Sequence, residues 1–356
     1  MQPQHFEKIG NVLQAIPGRI DLRSFSSAYL SSFFPLEEVT AAFQGERLFA
    51  YSKTEGDPGL RKSLSNLIGV MPENLVVTDG AAHGLFLVIL ASLNNGDIVL
   101  VPRPVFPAYL RIVAYVGCSF EFYDWRPDGR GLIDRLSSSK WPQPKALIIN
   151  SPHNPTGTVL NVGVYDEILG LAAAQQCLVI FDDVYAWLEK SVNQLTHLNQ
   201  LTNLTNQTSR LVAIISLGKL LCLPGMRLGI VVAEDQELLN EIIEAKRHLT
   251  QTSCPATEAI AERLLLSSTW IEGRKYLLRA LDKRRKEFNQ IATQLGVRPV
   301  ISARGFYAYA SDIAPISEAA VDGIPGTVFE SDSSEARYCL AVAEGEWTNF
   351  LRIARS

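Results

Sequence analysis

The sequence predicts an α/β protein: a mainly parallel central sheet between helices, with a smaller α+β unit beside it. Three observations carry this. Short apolar runs recur along the chain (Leu75-Val-Val77, Ile98-Val-Leu-Val101, Ala146-Leu-Ile-Ile149, Leu178-Val-Ile-Phe181, Leu211-Val-Ala-Ile-Ile215). Runs of strand length with no polar alternation belong to strands buried on both faces, as in parallel sheets covered by helices. Helical patterns separate several of them, and past Ala256 a long helical region to about Leu295 leads into shorter strands. The expected division is a large unit over 46–265 and a small unit made of 1–45 and 266–356.

Composition narrows the function classes. The 356 residues are 47% hydrophobic and 20% charged, as in ordinary globular proteins, and suffice for two domains. A net charge of −4 argues against a nucleic-acid partner, which asks for a basic face. No apolar run approaches the ~20 residues of a membrane span, and the N-terminal stretch lacks a signal peptide's apolar core. The 5 cysteines are scattered and never form C-x-x-C, so they read as reduced core residues of a cytoplasmic protein, with no metal site expected.

Taken in order, the chain opens with a helical start and then a polar, looped segment, Ile20–Tyr29. In Tyr51-Ser-Lys-Thr-Glu-Gly56-Asp57-Pro58, Asp57 reads as a helix cap and Pro58 as its first turn. Leu75-Val-Val-Thr-Asp79-Gly80-Ala81-Ala82-His83 reads as a strand, a glycine turn and the start of an apolar helix. Amides at such a start lack intrahelical partners and carry the positive end of the dipole, so they suit a phosphate. His83 reads as a packed helix residue.

Asp97–Tyr109 is a strand followed by a proline-fixed turn. Ala146–Asn150 ends in Ser-Pro-His-Asn154-Pro155-Thr156-Gly157, a turn at the carboxyl end of a strand, where open α/β sheets place ligands. Cys177–Tyr185 is another strand with acids at that end. The Asn-, Gln- and Thr-rich tract Asn193–Ser209 reads as an exposed surface loop or a short helix with loop. Next comes Ser216-Leu-Gly-Lys219, with Arg227 beyond it. An amine at a buried strand end is costly to keep charged and becomes nucleophilic, and a hydroxyl and a guanidinium flank it. That set suits a phosphorylated aldehyde: the lysine condenses with the carbonyl while Ser216 and Arg227 hold the phosphate. Gln236–His248 has an amphipathic helical pattern. Arg304–Ala310, Cys339–Ala343 and a terminal run at Phe350-Leu-Arg352-Ile read as strands of the smaller unit.

Asn154, Asp182, Lys219 and Arg227, in this order, with S-x-x-K, N-P-T-G, D-x-x-Y and Y-x4-G-x3-L-R patterns, resemble the fold-type I pyridoxal-phosphate enzymes of the class I/II aminotransferase family. The likeness covers nearly the whole chain. It implies that family's three-layer α/β/α fold, pyridoxal 5'-phosphate bound to Lys219, and a homodimer with a shared active site. By the same resemblance Gly80, Ala81 and Ala82 face the phosphate with Ser216 and Arg227, and Tyr51 reaches the phosphate of the neighbouring subunit. Phe106 stacks on the pyridine ring, with Tyr109 as fallback. Asn154 and Tyr185 donate to the ring oxygen, and Asp182 keeps the ring nitrogen protonated. Arg352 grips the substrate carboxylate, with Arg337 as rival, and Ser26 lies at the substrate with Asn154.

Departures from the family pattern fall on the substrate side. The Gly-x-Pro loop near the N-terminus is absent, the stretch Ile316–Ile324 is short, and the connection Glu330–Leu351 is long. So little chain follows Arg352 that no closing helix is expected. The Ile20–Tyr29 and lysine segments resemble the arginine cyclases of specialised metabolism (capreomycidine synthase and enduracididine-forming enzymes). A Schiff base with a free L-α-amino acid and removal of its α-proton by Lys219 is therefore expected. The favoured outcome is elimination or cyclisation of a hydroxylated arginine-like amino acid, with amino-acid:2-oxo-acid transamination as the alternative. Aminotransferase-like sensor domains of transcription regulators follow a basic winged helix, and Tyr51 arrives too early to leave room for one.

Overall fold

The apolar runs fold as strands whose side chains are excluded from water on both faces. The computed structural model describes residues 18–23, 25–26, 28–41, 49–185, 210–300 and 305–353. Its strands are β1 (Ile20–Asp21), β2 (Leu75–Thr78), β3 (Ile98–Arg103), β4 (Ser119–Asp124), β5 (Ala146–Asn150), β6 (Leu178–Asp182), β7 (Leu211–Ser216) and β8 (Gly229–Ala233). These are followed by β9 (Arg298–Val300), β10 (Tyr307–Ser311), β11 (Val321–Asp322), β12 (Ile324–Pro325) and β13 (Glu335–Cys339). Every residue of β2, β5, β6 and β8 is buried.

The large sheet has 7 strands in the order β2-β8-β7-β6-β5-β3-β4. Strand β8 alone runs antiparallel, pairing with β2 on one side and β7 on the other. Helices cover both faces. Ala81–Ser92 and Gln236–Leu249 pack in one apolar core, and Pro58–Ile68 and Tyr165–Ala174 pack in the other. This is the three-layer α/β/α arrangement. Asp57 caps its helix as expected, its Oδ1 accepting from the Gly59 and Leu60 amides (2.8 and 3.0 Å). Such a cap is worth about 1 kcal/mol. The long helical region is two helices, Pro255–Leu266 and Ser268–Gln294, because the Ser267 hydroxyl interrupts it and caps the second at the Trp270 amide.

A second sheet of 4 antiparallel strands, β12-β13-β10-β9, belongs to the C-terminal part. Strand β1 pairs in parallel with β11, Ile20 opposite Val321, so the start of the described chain joins that part. The register of the large sheet sets Asn150 opposite Asp182 and Ser216 opposite Gly229. The carboxyl ends of β5, β6 and β7 therefore open on one place, with Lys219 just past β7.

Several expectations are corrected here. Phe350-Leu-Arg352-Ile is not a strand but the end of the helix Glu344–Ile353. Its apolar residues follow a helical period: Trp347 and Phe350 are buried, and Phe350 packs on Phe288 with ring centroids 5.6 Å apart. Glu344 and Glu346 in its first turn suit the dipole. A closing helix is thus present, and the long Glu330–Leu351 connection holds it together with β13. The strand expected at Cys339–Ala343 lies earlier, over Glu335–Cys339. The short Ile316–Ile324 stretch still carries strand β11 and the end of a helical turn, Ala314–Glu318. Cys254 is exposed, not a core residue, whereas Cys118, Cys177, Cys222 and Cys339 are buried. Residues 1–17 and the Asn193–Ser209 tract lie outside the described residues. Among the described residues no helix is long and apolar enough to cross a membrane.

Candidate active site

Two cavities meet at the carboxyl ends of β5, β6 and β7. The inner one, about 150 Å³, is lined by Ala81, Ala82, Phe106, Asn154, Asp182, Tyr185, Ser216, Lys219 and Arg227 among others. The outer one, about 680 Å³, shares Ala82, Phe106 and Lys219 and adds Phe25, Phe329 and Arg337. All but two of the expected cofactor residues thus fall on one small space; Gly80 forms its turn, and Tyr51 lies elsewhere.

One end of the inner cavity is built for an anion. Gly80 holds φ +95°, a conformation that glycine alone adopts readily, and a Cβ there would lie 2.7 Å from a terminal nitrogen of Arg227. At Gly229, a Cβ would lie 2.6 Å from the Ala81 amide nitrogen, so the backbones of β8 and the turn touch. The helix Ala81–Ser92 has no side-chain cap, which leaves its first amides to an outside acceptor. Ser216 caps the helical turn Leu217–Leu220, its Oγ accepting from the Lys219 amide at 3.2 Å, so its hydroxyl proton remains to be donated. Arg227 follows the turn Pro224–Met226 in a left-handed conformation (φ +50°) that brings its guanidinium to Gly80. Uncapped amides, a hydroxyl and a guanidinium fit a phosphate monoester.

At the other end stands Asp182, buried at the end of β6. Burial pushes its carboxyl up to about 6, against hydrogen bonds from the Tyr109 hydroxyl and the Val184 amide that pull it down. Tyr109 donates to Asp182 Oδ2 and the Val184 amide to Oδ1 at 3.3 Å. Phe106 meets Tyr109 edge to face, centroids 5.4 Å apart, and its ring faces both cavities. Tyr185, also buried, makes a 3.3 Å hydroxyl contact with Tyr307, and burial raises it well above the usual phenol range.

Asn154 is set by a chain of bonds that joins the strands. The Asn150 amide donates to the Asp182 carbonyl (2.9 Å), and Asn150 Oδ1 accepts from the Asn154 backbone amide (2.6 Å). Asn154 Oδ1 then accepts from Arg337 Nη1 at 2.8 Å, which leaves the Asn154 amide group as a donor. Beneath the turn lies His153, stacked on Trp125 at 4.4 Å and bonded to Thr156 Oγ1 (2.8 Å) and the Pro104 carbonyl (3.0 Å). Burial lowers it to about 3, so it is neutral and donates to the carbonyl while accepting from the threonine.

Arg337 lies on β13 and is 7% exposed. Its guanidinium sits 4.1 Å over the Tyr307 ring and bonds to Asn154 and, at 3.4 Å, to the Arg23 carbonyl. Nε has no hydrogen-bond partner, and Arg337 forms no ion pair among the described residues. Arg352 is exposed on the closing helix and lines neither cavity, contrary to the expectation of a substrate-facing strand arginine there, whereas its rival Arg337 lines the outer one. Lys219 is half-buried, with Nζ 4.2 Å over the Phe25 ring. Ser26 gives its amide to the Ala341 carbonyl (2.7 Å), while its neighbour Phe25 lines the outer cavity. Tyr51 stands apart, 79% exposed. Asn150 and His153 were not legible as site residues; a polar group ending an apolar run was the available signal for Asn150.

The family described as aminotransferase class I and II matches residues 20–345. The "Probable N-succinyldiaminopimelate aminotransferase DapC" of Mycobacterium tuberculosis is 30% identical over 246 residues, 68% of this chain and 60% of that protein. Kynurenine–oxoglutarate transaminase 3 of Homo sapiens is 26% identical over 301 residues, 77% of this chain and 64% of that protein. The matched stretch thus spans about 60% of the length of these relatives. An aspartate aminotransferase double mutant of Thermus thermophilus superposes with a TM-score of 0.81 at 22% identity, covering 100% of this chain and 97% of that one. An aminotransferase from Mycobacterium tuberculosis gives 0.82 at 21% identity, covering 98% and 94%. At such identities the structures speak for the fold.

Proposed function

This chain belongs to the class I and II aminotransferase family, whose members use pyridoxal 5'-phosphate, and from that premise we propose that it is an amino-acid:2-oxo-acid aminotransferase. One observation carries the substrate class: Arg337 is a buried guanidinium without a carboxylate partner among the described residues, in the cavity that Lys219 also lines. A buried charge without a counter-charge is costly, and an incoming α-carboxylate supplies one bidentately.

On this reading Ser216, Arg227 and the amides of Ala81 and Ala82 hold the phosphate, and Phe106 covers the ring. Asp182 would hold the ring nitrogen, and Asn154 and Tyr185 would donate to the ring oxygen. When bound, the cofactor supplies an aldehyde that exchanges its amine partner and a ring that accepts electron density from the substrate α-carbon. Lys219 Nζ would hold that aldehyde and, once free of it, would accept the substrate α-proton as general base. Arg337 orients the α-amino acid so that this proton points at Nζ. The aromatic lining of Phe25, Phe106 and Phe329 keeps water from the reacting carbon.

Cyclisation of an arginine-like substrate has less support. No Asp or Glu lines the outer cavity among the described residues, while Arg23, Arg111 and Arg337 do. A guanidinium side chain would meet the like charge of Arg337 there with no acid lining the cavity to receive it, and the relatives are named as transaminases. The same proposal includes a homodimer, with the exposed Tyr51 and Phe49 (90% exposed) covered by the partner and Tyr51 reaching its phosphate. It also includes the division into a 46–265 unit and a unit of 1–45 with 266–356, and a cytoplasmic location.

The test is a set of amino acids incubated with the holoenzyme and a 2-oxo acid acceptor. Release of a new 2-oxo acid, matched by consumption of the acceptor and abolished in Lys219→Ala, is expected. Turnover that needs no acceptor and releases water or ammonia would overturn transamination.

A further inference from the structure

Two fully buried charges lie outside the cavities, and both are bonded to one loop. Lys246, on the helix Gln236–Leu249, and Glu258, on the helix Pro255–Leu266, are each 0% exposed. Lys246 Nζ donates to the Thr54 carbonyl at 2.6 Å. Glu258 Oε2 accepts from the Ser52 hydroxyl at 2.9 Å and from the Asp57 amide at 3.2 Å. Its Oε1 has no hydrogen-bond partner among the described residues. From two helices, then, one cation and one anion hold the backbone of residues 52–57.

That loop is tied to the anion-binding end of the cavity. The Val77 amide donates to the Glu55 carbonyl at 2.9 Å, which fastens the loop to β2. Gly56, at φ +106°, is pressed so close to β2 that a Cβ would lie 2.4 Å from Val77 Cγ2. Strand β2 runs straight into the Gly80 turn, and Asp79, before the glycine, feels the Lys246 charge and bonds to His83. Tyr51 precedes the loop and is mostly exposed, so its position comes from the backbone behind it. Buried charges often stabilise no more than apolar residues of similar volume, so bulk stability does not account for these two, whereas fixing one loop geometry does.

We propose that Lys246 and Glu258 are positioning residues that hold the Ser52–Asp57 backbone against β2, so that Tyr51 is presented to the cofactor phosphate of the partner subunit. The proposal rests on the reading of Tyr51 given under the proposed function.

The experiment is an equilibrium titration of the protein with pyridoxal 5'-phosphate, for Tyr51→Phe, Glu258→Gln and their double variant, with thermal unfolding run alongside. Tyr51→Phe is expected to weaken cofactor binding about tenfold and Glu258→Gln at least fivefold. The double variant is expected to bind no more weakly than Tyr51→Phe alone, because the glutamate acts through the tyrosine. If Glu258→Gln does not fold, Ser52→Ala keeps both charges, removes one bond to Glu258, and should weaken binding about threefold with the same non-additivity. A shift below twofold in the variant measured, or multiplying losses in the double variant, would overturn the proposal while leaving Tyr51 its role. Unchanged binding in Tyr51→Phe would overturn both.

Discussion

Tyr109→Phe removes one hydroxyl from the deepest part of the cavity and leaves its shape intact. Tyr109 is about 1% exposed and donates to Asp182, whose carboxyl burial has already pushed up to about 6. A hydrogen bond to a charged acceptor is worth about 1.5–3 kcal/mol. At 1.36 kcal/mol per tenfold in proton affinity, its loss raises the carboxyl by a further one to two pH units or so. The sign follows from the chemistry: an ionised Asp182 pairs with a protonated ring nitrogen, and a protonated Asp182 does not. Cofactor affinity in the native protein should therefore fall as pH drops through about 6, and in Tyr109→Phe it should begin to fall about one to two pH units higher. Titrating pyridoxal 5'-phosphate into both proteins between about pH 5 and 9 reads the two midpoints directly. Coincident midpoints would refute the idea that Tyr109 keeps Asp182 ionised.

Other perturbations test other parts of the site. Arg337→Ala should raise KM for the amino acid at least about a hundredfold, the usual scale for losing one partner of a buried charged pair, and Arg352→Ala should change it less than about twofold; steady-state kinetics decide. Gly80→Ala places a methyl against Arg227 in a conformation costing about 1–3 kcal/mol, so cofactor binding should weaken about tenfold or more in the same titration. Burial raises Glu258 to about 7, against the Ser52 hydrogen bond and the Lys246 charge that pull it down, so the folded state binds a proton more readily than the unfolded one. Its contribution is whole below the ordinary carboxylate range and is lost as pH rises through about 7, up to about 3 kcal/mol. Melting points at about pH 5 and pH 8 should differ less in Glu258→Gln than in the native protein.

The central sheet is legible in the sequence because strands buried on both faces leave continuous apolar runs, as in β5 and β6. The residues near their ends are legible for related reasons: Asp182 is a polar group closing the apolar run of β6, and Asn154 stands in the Asn-Pro-Thr-Gly turn just past β5. The C-terminal part is harder to read. Phe350-Leu-Arg352-Ile looks like a strand over four residues, and only the wider spacing of Trp347 and Phe350 betrays a helix. Arg337 hides in Glu335-Ala-Arg-Tyr-Cys339, a short strand whose partners β10 and β12 are set by tertiary contact. Lys246 looks like any polar residue on an amphipathic helix; its burial depends on a loop nearly two hundred residues earlier in the chain.

The antiparallel strand β8 has a consequence for how the molecule is made. Strand β2 emerges early in synthesis, yet its neighbour in the sheet comes only with Gly229–Ala233. Until then the nascent chain carries an unpaired, largely apolar edge, the kind of surface on which chains associate wrongly. Arg227 and Gly229, which close the anion pocket around Gly80, arrive in the same few residues. A ribosome-bound chain stalled before them should therefore be both sticky and unable to retain cofactor, and the two defects should vanish together.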